Sequence, residues 1–153
     1  MIGAAAWVAG WAQAQPVLPA VMAARGEIVV GVKTDFAPFG MLNAGAQPVG
    51  LEVDLAHRLA GSLGLRARLV AVSTENRFQR LEQGAVDVLI ATAGDTRERR
   101  TLATAVEPHY HAAGVTVMLP PAARSTDWTA LRGQTLCAVQ GAYFNRSITQ
   151  RHI

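Results

Sequence analysis

Lysine and cysteine each occur once in the 153 residues, as Lys33 and Cys137, and no charged residue stands between Met1 and Ala24. A single cysteine excludes an internal disulfide and any cysteine-rich metal site. It is silent on compartment, because a buried free cysteine behaves as a small hydrophobe. The lone lysine reads as a coding bias toward arginine and carries no functional meaning by itself. No serine or cysteine nucleophile stands with a credible base, and there is no phosphate loop, metal-ligand cluster, internal repeat or low-complexity stretch. What is present is 50% apolar and 16% charged. That composition supports a single compact domain with its own core and argues against disorder. The 14 basic residues exceed the 11 acidic ones by three, but they are spread from Arg25 to Arg151. A dispersed excess of this size gives no patch for nucleic acid, so a nucleic-acid partner is not expected.

The uncharged N-terminus does speak to compartment. Residues 2–12 are apolar and end in Ala12-Gln13-Ala14, an A-x-A pattern of the kind signal peptidase cuts. Gln13, Gln15, Pro16 and Pro19 interrupt the run well short of the ~20 residues of a membrane-spanning helix. Residues 1–14 are therefore expected to be a cleaved secretory signal, followed by a linker over 15–25. Export across the inner membrane to the periplasm follows from that expectation.

Beyond the leader, strand and helix patterns alternate. A β-rich run at 27–33 precedes a loop rich in glycine and proline. Leu51, Leu55, Leu59 and Leu63 recur every four residues before Gly64, which predicts an amphipathic helix with a glycine stop. Residues 65–72 read as a strand. Ser73 or Thr74 can cap a helix with Phe78 and Leu81 inward and Arg77, Arg80 and Glu82 outward. Residues 86–91 read as a central strand, and Gly94-Asp95-Thr96 opens a further helix through Arg99 and Leu102. This order implies βαβ units and a parallel sheet, with a ligand crevice outside the carboxyl ends of its strands. A strand at 114–119 runs into Pro120-Pro121, a natural break. A short helix around Trp128, a strand at 135–139 and a last helix from Ala142 then begin a second unit. The first lobe is thus expected at 26–119, and a second, incomplete lobe at 120–153.

One local anomaly is chemical. Arg97, Arg99 and Arg100 crowd the predicted first turn of a helix, where the macrodipole already places positive charge. Free amides near Gly94 together with an arginine make an anion site, and a carboxylate is the expected guest. Arg97 and Arg100 read as a solvated charged face. Asp54 and Asp87 read as caps or salt-bridge partners. His109 and His111 lack a third ligand and read as ordinary polar positions, while Trp128 and Cys137 read as packing residues.

The segments Asp35-Phe36-Ala37-Pro38-Phe39-Gly40, Gly50-Leu51-Glu52-Val53-Asp54, Asn76-Arg77, Gly84-Ala85-Val86-Asp87, Asp95-Thr96-Arg97-Glu98-Arg99 and Glu107-Pro108-His109-Tyr110 occur in register. Together with Leu131-Arg132-Gly133 and Gln140-Gly141-Ala142, they resemble the family-3 bacterial extracellular solute-binding proteins. The resemblance implies a two-lobed α/β clamp of the type II periplasmic-binding-protein kind that hands an amino acid to an ABC permease. It implies a monomer without cofactor or metal. The wording near residues 140–145 is similar to the branch for acidic or other polar amino acids.

Carried over position by position, Arg99 would grip the ligand α-carboxylate as a bidentate fork. The backbone of Thr92 and Gly94 would supply a carbonyl for the ammonium and an N–H for the carboxylate, beside the cap residue Thr96. Asp35 and Phe39 would face the ligand side chain or hold the loop shape, and the charges of Arg77 and Asp35 are expected toward the crevice. Thr74 stands where many members carry a stacking aromatic, and Gly94 where many carry a hydroxyl. The ammonium's carboxylate partner would come from the second lobe, beyond Ile153. Two alternatives on the same fold stay open: a periplasmic dehydratase acting on prephenate-like acids, and the ligand-binding module of a membrane receptor.

Overall fold

A computed structural model describes residues 18–123 and 127–151. The expected signal at 1–14 lies outside the described residues. The expected linker is in part helical: α1 (Ala20–Arg25) ends at Gly26, whose φ of 65° provides the left-handed cap. β1 (Glu27–Val32) follows, then three short strands, β2 (Asp35–Phe36), β3 (Gly40–Leu42) and β4 (Pro48–Val49), that form a small antiparallel sheet. α2 (Leu51–Ser62), β5 (Arg66–Ala71), α3 (Arg77–Glu82) and β6 (Val88–Ile90) complete the main layer.

The main sheet is parallel with the order β5-β1-β6, so β1 is central, and β6, expected to be central, pairs on one side only among the described residues. The residues of β1 are buried from Ile28 through Val32 because both faces and both edges are covered. The core joins Ile28, Val30, Val32 and Ile90 to Val53, Ala56 and Ala60 of α2. The buried stripe of α2 is thus rotated from the leucine repeat. Leu51 is exposed and the other three leucines flank the stripe, because the small residues let the helix approach the sheet. Gly50 has no room for a side chain: a methyl there would lie 2.5 Å from the Phe39 carbonyl oxygen. That close approach lets the Leu51 and Glu52 amides donate to the carbonyls of Pro38 and Phe39 at 3.2 and 2.9 Å. The start of α2 is thereby tied to the loop after β1.

Asp87 has the structural role expected of it. One carboxylate oxygen accepts from the Val29 amide at 2.7 Å and pairs with Arg25, joining the start of β6 to β1 and α1. Asp54 is exposed in the first turn of α2, where a carboxylate suits the dipole.

Four expectations are corrected. The helix expected from Gly94 to Leu102 is only a 3₁₀ turn, Arg99–Thr101. The strands expected at 114–119 and 135–139 are irregular, since no neighbouring strand among the described residues offers them a ladder. Cys137 is exposed rather than packed. Arg77, expected on the outer face of α3, is 2% exposed. A second 3₁₀ turn (Trp128–Leu131) and α4 (Asn145–Arg151) match the helical stretches expected near the C-terminus.

A cationic crevice at the carboxyl ends of the strands

The residue that ends β1 organises the first part of the site. Lys33 is 3% exposed, and its Nζ donates to Thr74 Oγ1 at 2.9 Å and pairs with Asp35 at 2.8 Å. Two of the expected ligand residues are therefore joined through a lysine to which the sequence assigned no role. Phe39 belongs to the same loop, stacked on Phe36 at 5.9 Å with the His111 ring edge-on at 4.9 Å. At the start of α3 the Ser73 hydroxyl accepts from the Asn76 amide while the Asn76 side chain accepts from the Ser73 amide. This reciprocal cap fixes the direction in which Arg77 leaves the backbone.

At the end of β6 two buried charged side chains take hold of one peptide unit. Arg77 donates from NH1 to the Ala91 carbonyl at 2.6 Å. Glu52, fully buried in the first turn of α2, accepts from the Thr92 amide at 2.5 Å. The same carboxylate oxygen accepts from the Tyr110 hydroxyl at 2.6 Å. Burial raises the Glu52 pKa, opposed by the hydrogen bonds from Tyr110 and Thr92 and by the charges of Arg77 and Lys33. Burial lowers Arg77 to about 10, reinforced by Arg99 and opposed by Glu52 and Tyr110. Burial and then the bond to Glu52 raise Tyr110. Among the described residues, Glu52 Oε2 and Arg77 Nε have no hydrogen-bond partner. Thr92 itself has φ 47°, a left-handed conformation that β-branched residues seldom adopt.

Arg99 lies on the next stretch of chain. Its guanidinium donates to the Gly94 carbonyl at 3.0 Å and the Gly141 carbonyl at 3.1 Å. It stands over the rings of Phe78 at 5.0 Å and Tyr143 at 5.8 Å, and burial lowers its pKa. The dipole argument made for it does not survive, because a three-residue 3₁₀ turn carries no helix macrodipole of consequence. Thr96 caps that turn, its hydroxyl accepting from the Arg99 amide at 3.2 Å. Arg97 is exposed, as expected.

His109, expected as an ordinary polar position, has an acidic partner. It meets Asp95 at 3.0 Å, and Asp95, Glu107 and His109 present their ligand atoms within 4.8 Å of one another. Arg100 occupies the centre of that group, donating to both Asp95 oxygens and to Glu107. The cluster is an exposed ion-pair network whose acceptors are already used. A cavity of about 370 Å³ lined by Val115, Trp128, Phe144 and Ile148 shares only Thr96 with the expected ligand residues. Tyr143, which also lines that hollow, stands under the Arg99 guanidinium, so the hollow adjoins the charged side chains.

Sequence reasoning missed Lys33, Glu52, Tyr110 and Tyr143. A signal existed for Glu52, which stands four residues before Ala56 and eight before Ala60 on the buried face of α2.

The chain has measurable likenesses. The ABC transporter glutamine-binding protein GlnH of Bacillus subtilis (strain 168) is 25% identical over 130 residues, which cover 82% of this chain and 47% of that protein. The chain thus spans about half the length of this relative. The arginine-bound domain 1 of TmArgBP superposes with a TM-score of 0.53 at 30% identity, covering 55% of this chain and 67% of that one. An ancestral amino acid-binding protein, described as a precursor of cyclohexadienyl dehydratase, gives 0.51 at 28% identity, covering 53% and 36%. Residues 28–143 match the bacterial extracellular solute-binding proteins, family 3. The buried parallel sheet, with its cationic crevice at the carboxyl ends of the strands, is that of a chain belonging to this family.

Proposed function

We propose that this chain binds a polar amino acid in the periplasm and delivers it, as a monomer, to an ABC permease of the inner membrane. The observation that carries the reading is the gathering of Lys33, Arg77 and Arg99 at the carboxyl ends of one parallel sheet, three cations against the two carboxylates of Glu52 and Asp35. Such a surplus of partly desolvated cations favours an anionic guest. Arg99 is the anchor for the ligand α-carboxylate, which would replace the Gly141 carbonyl on one arm of its fork. The Thr92 carbonyl receives the ammonium, and the Gly94 amide and Thr96 border the carboxylate. Asp35, Phe39 and Thr74 face the ligand side chain, while the buried Arg77 adds its charge from behind the Ala91 carbonyl. The same surplus favours an acidic or polar neutral ligand over a basic one. Calorimetric titration of the whole protein with glutamate, aspartate, glutamine, arginine and lysine tests this. Tightest binding of arginine or lysine would reverse the preference, and no binding of any of them would remove the reading.

The likeness to a dehydratase precursor supports a second reading, an enzyme acting on a prephenate-like acid. Conversion of such an acid to an aromatic product by the whole protein, abolished in Arg99→Ala, would select it over binding alone.

A further inference from the structure

The mechanism proposed for the ligand leaves one buried titratable group without a role. Glu52 is fully buried and has one oxygen without a partner among the described residues. A first-turn carboxylate that served only its own helix would turn to the amides of α2. Glu52 instead reaches 40 residues along the chain to the Thr92 amide. The Ala91 carbonyl of the same peptide unit is held by Arg77. Both ends of one peptide dipole are thus fixed by opposite charges drawn from two different helices, and Tyr110 closes the arrangement from a third segment. The residue immediately after this peptide bond is the β-branched Thr92 with its φ of 47°. A conformation of that kind persists only where its surroundings over-determine it, and such residues cluster at ligand sites.

We propose that Glu52 is a positioning residue: by gripping the Thr92 amide it holds Thr92 in the left-handed conformation that aims the Thr92 carbonyl and the loop to Gly94 at the ligand. This rests on the amino-acid site proposed above, but its mechanical part concerns the protein alone. The charged and titratable groups facing Glu52 are Arg77 from α3, Lys33 from the end of β1 and Tyr110 from the segment after Pro108. The two cations favour the ionised carboxylate, which accepts more strongly than the neutral acid. Because burial raises the carboxyl pKa, protonation should loosen the grip at a pH above the ordinary glutamate range.

The test combines Glu52→Gln, Thr92→Gly and the double variant. The first readout is hydrogen exchange at the Thr92 amide of the ligand-free protein as a function of pH. Glutamine keeps an acceptor but not the charge, so protection should fall about tenfold, the scale of one charge-assisted hydrogen bond. The acid limb seen in the wild type should flatten. The second readout is the affinity for glutamine, whose side chain does not titrate in this range. It should fall about tenfold in Glu52→Gln. It should be largely restored by adding Thr92→Gly, since glycine takes positive φ without a steric cost. Unchanged Thr92 protection in Glu52→Gln overturns the proposal, as does affinity that Thr92→Gly does not restore. Should Glu52→Gln fail to fold, Glu52→Asp shortens the reach to the Thr92 amide while keeping the charge, and its loss of Thr92 protection and its rescue by Thr92→Gly are read in the same way. Failure of the wild type to bind any amino acid would count against the site, while the exchange measurement still decides the role of Glu52.

Discussion

The ring of Tyr143 lies directly on Gly94: a methyl group at position 94 would come within 2.6 Å of Tyr143 Cδ1. An aromatic from much later in the chain thus takes the space that a side chain at position 94 would need. Gly94→Ala should push the 141–144 turn away and break the bond from Arg99 to the Gly141 carbonyl. Hydrogen exchange at residues 141–145 should accelerate in Gly94→Ala. Tyr143→Ala on top of it should add little, because the two residues act on one contact. Independent, additive effects would show that the contact does not hold the turn.

Arg99→Ala should weaken amino-acid binding by the whole protein by roughly two orders of magnitude or more, given the ~2–5 kcal/mol typical for removing a desolvated partner of a charged pair. Arg99→Lys should not recover it, because lysine lacks the planar fork. Arg97→Ala should change little. Calorimetry on the three variants reads this directly, and near wild-type affinity in Arg99→Ala would take the central residue out of the site.

Asp87→Ala should destabilise the chain by about 1–3 kcal/mol, since it leaves the Val29 amide inside the sheet without its acceptor. Asp87→Asn keeps an acceptor and should cost less. Chemical denaturation followed by circular dichroism checks the order of the two.

Around Asp95 the expected signature is in pH. Hydrogen bonds from Arg100 and then His109 hold its carboxyl below the usual aspartate value. A depressed carboxyl contributes stability that is complete above the unfolded value and is lost as pH falls through the folded one. The contribution should therefore persist at mildly acidic pH and fade below about pH 4, the ordinary aspartate range. NMR titration of the Asp95 carboxyl should show the low midpoint, and Arg100→Gln should move it back toward an ordinary aspartate. An unmoved midpoint would mean that Arg100 is not the cause.

The main layer was legible because its periodicities are local. The apolar run of β1 and the glycine stop at Gly64 follow from side-chain spacing alone, whereas the leucine repeat of α2 points beside its true buried stripe. The helix expected after Gly94, with three arginines in its first turn, is only a 3₁₀ turn. In the fold Arg100 turns to Asp95 and Arg99 to two carbonyls, bonds that a continued helix would not need. Arg77 and Glu52 were hidden for a related reason: a charge at a helix start reads as solvated, and only the fold reveals one peptide unit lying between them. The left-handed Thr92 left no trace in the sequence, since a β-branched residue is the last expected there.

The burial of Lys33 gives the protein a built-in chemical reporter. Reagents that acylate lysine ε-amines find a single side-chain target in the whole chain, and the folded state withholds it at 3% exposure behind Thr74 and Asp35. The rate of modification at Lys33 therefore times the opening of the strand ends. An occupant of the crevice should slow that clock without touching the amine at the N-terminus.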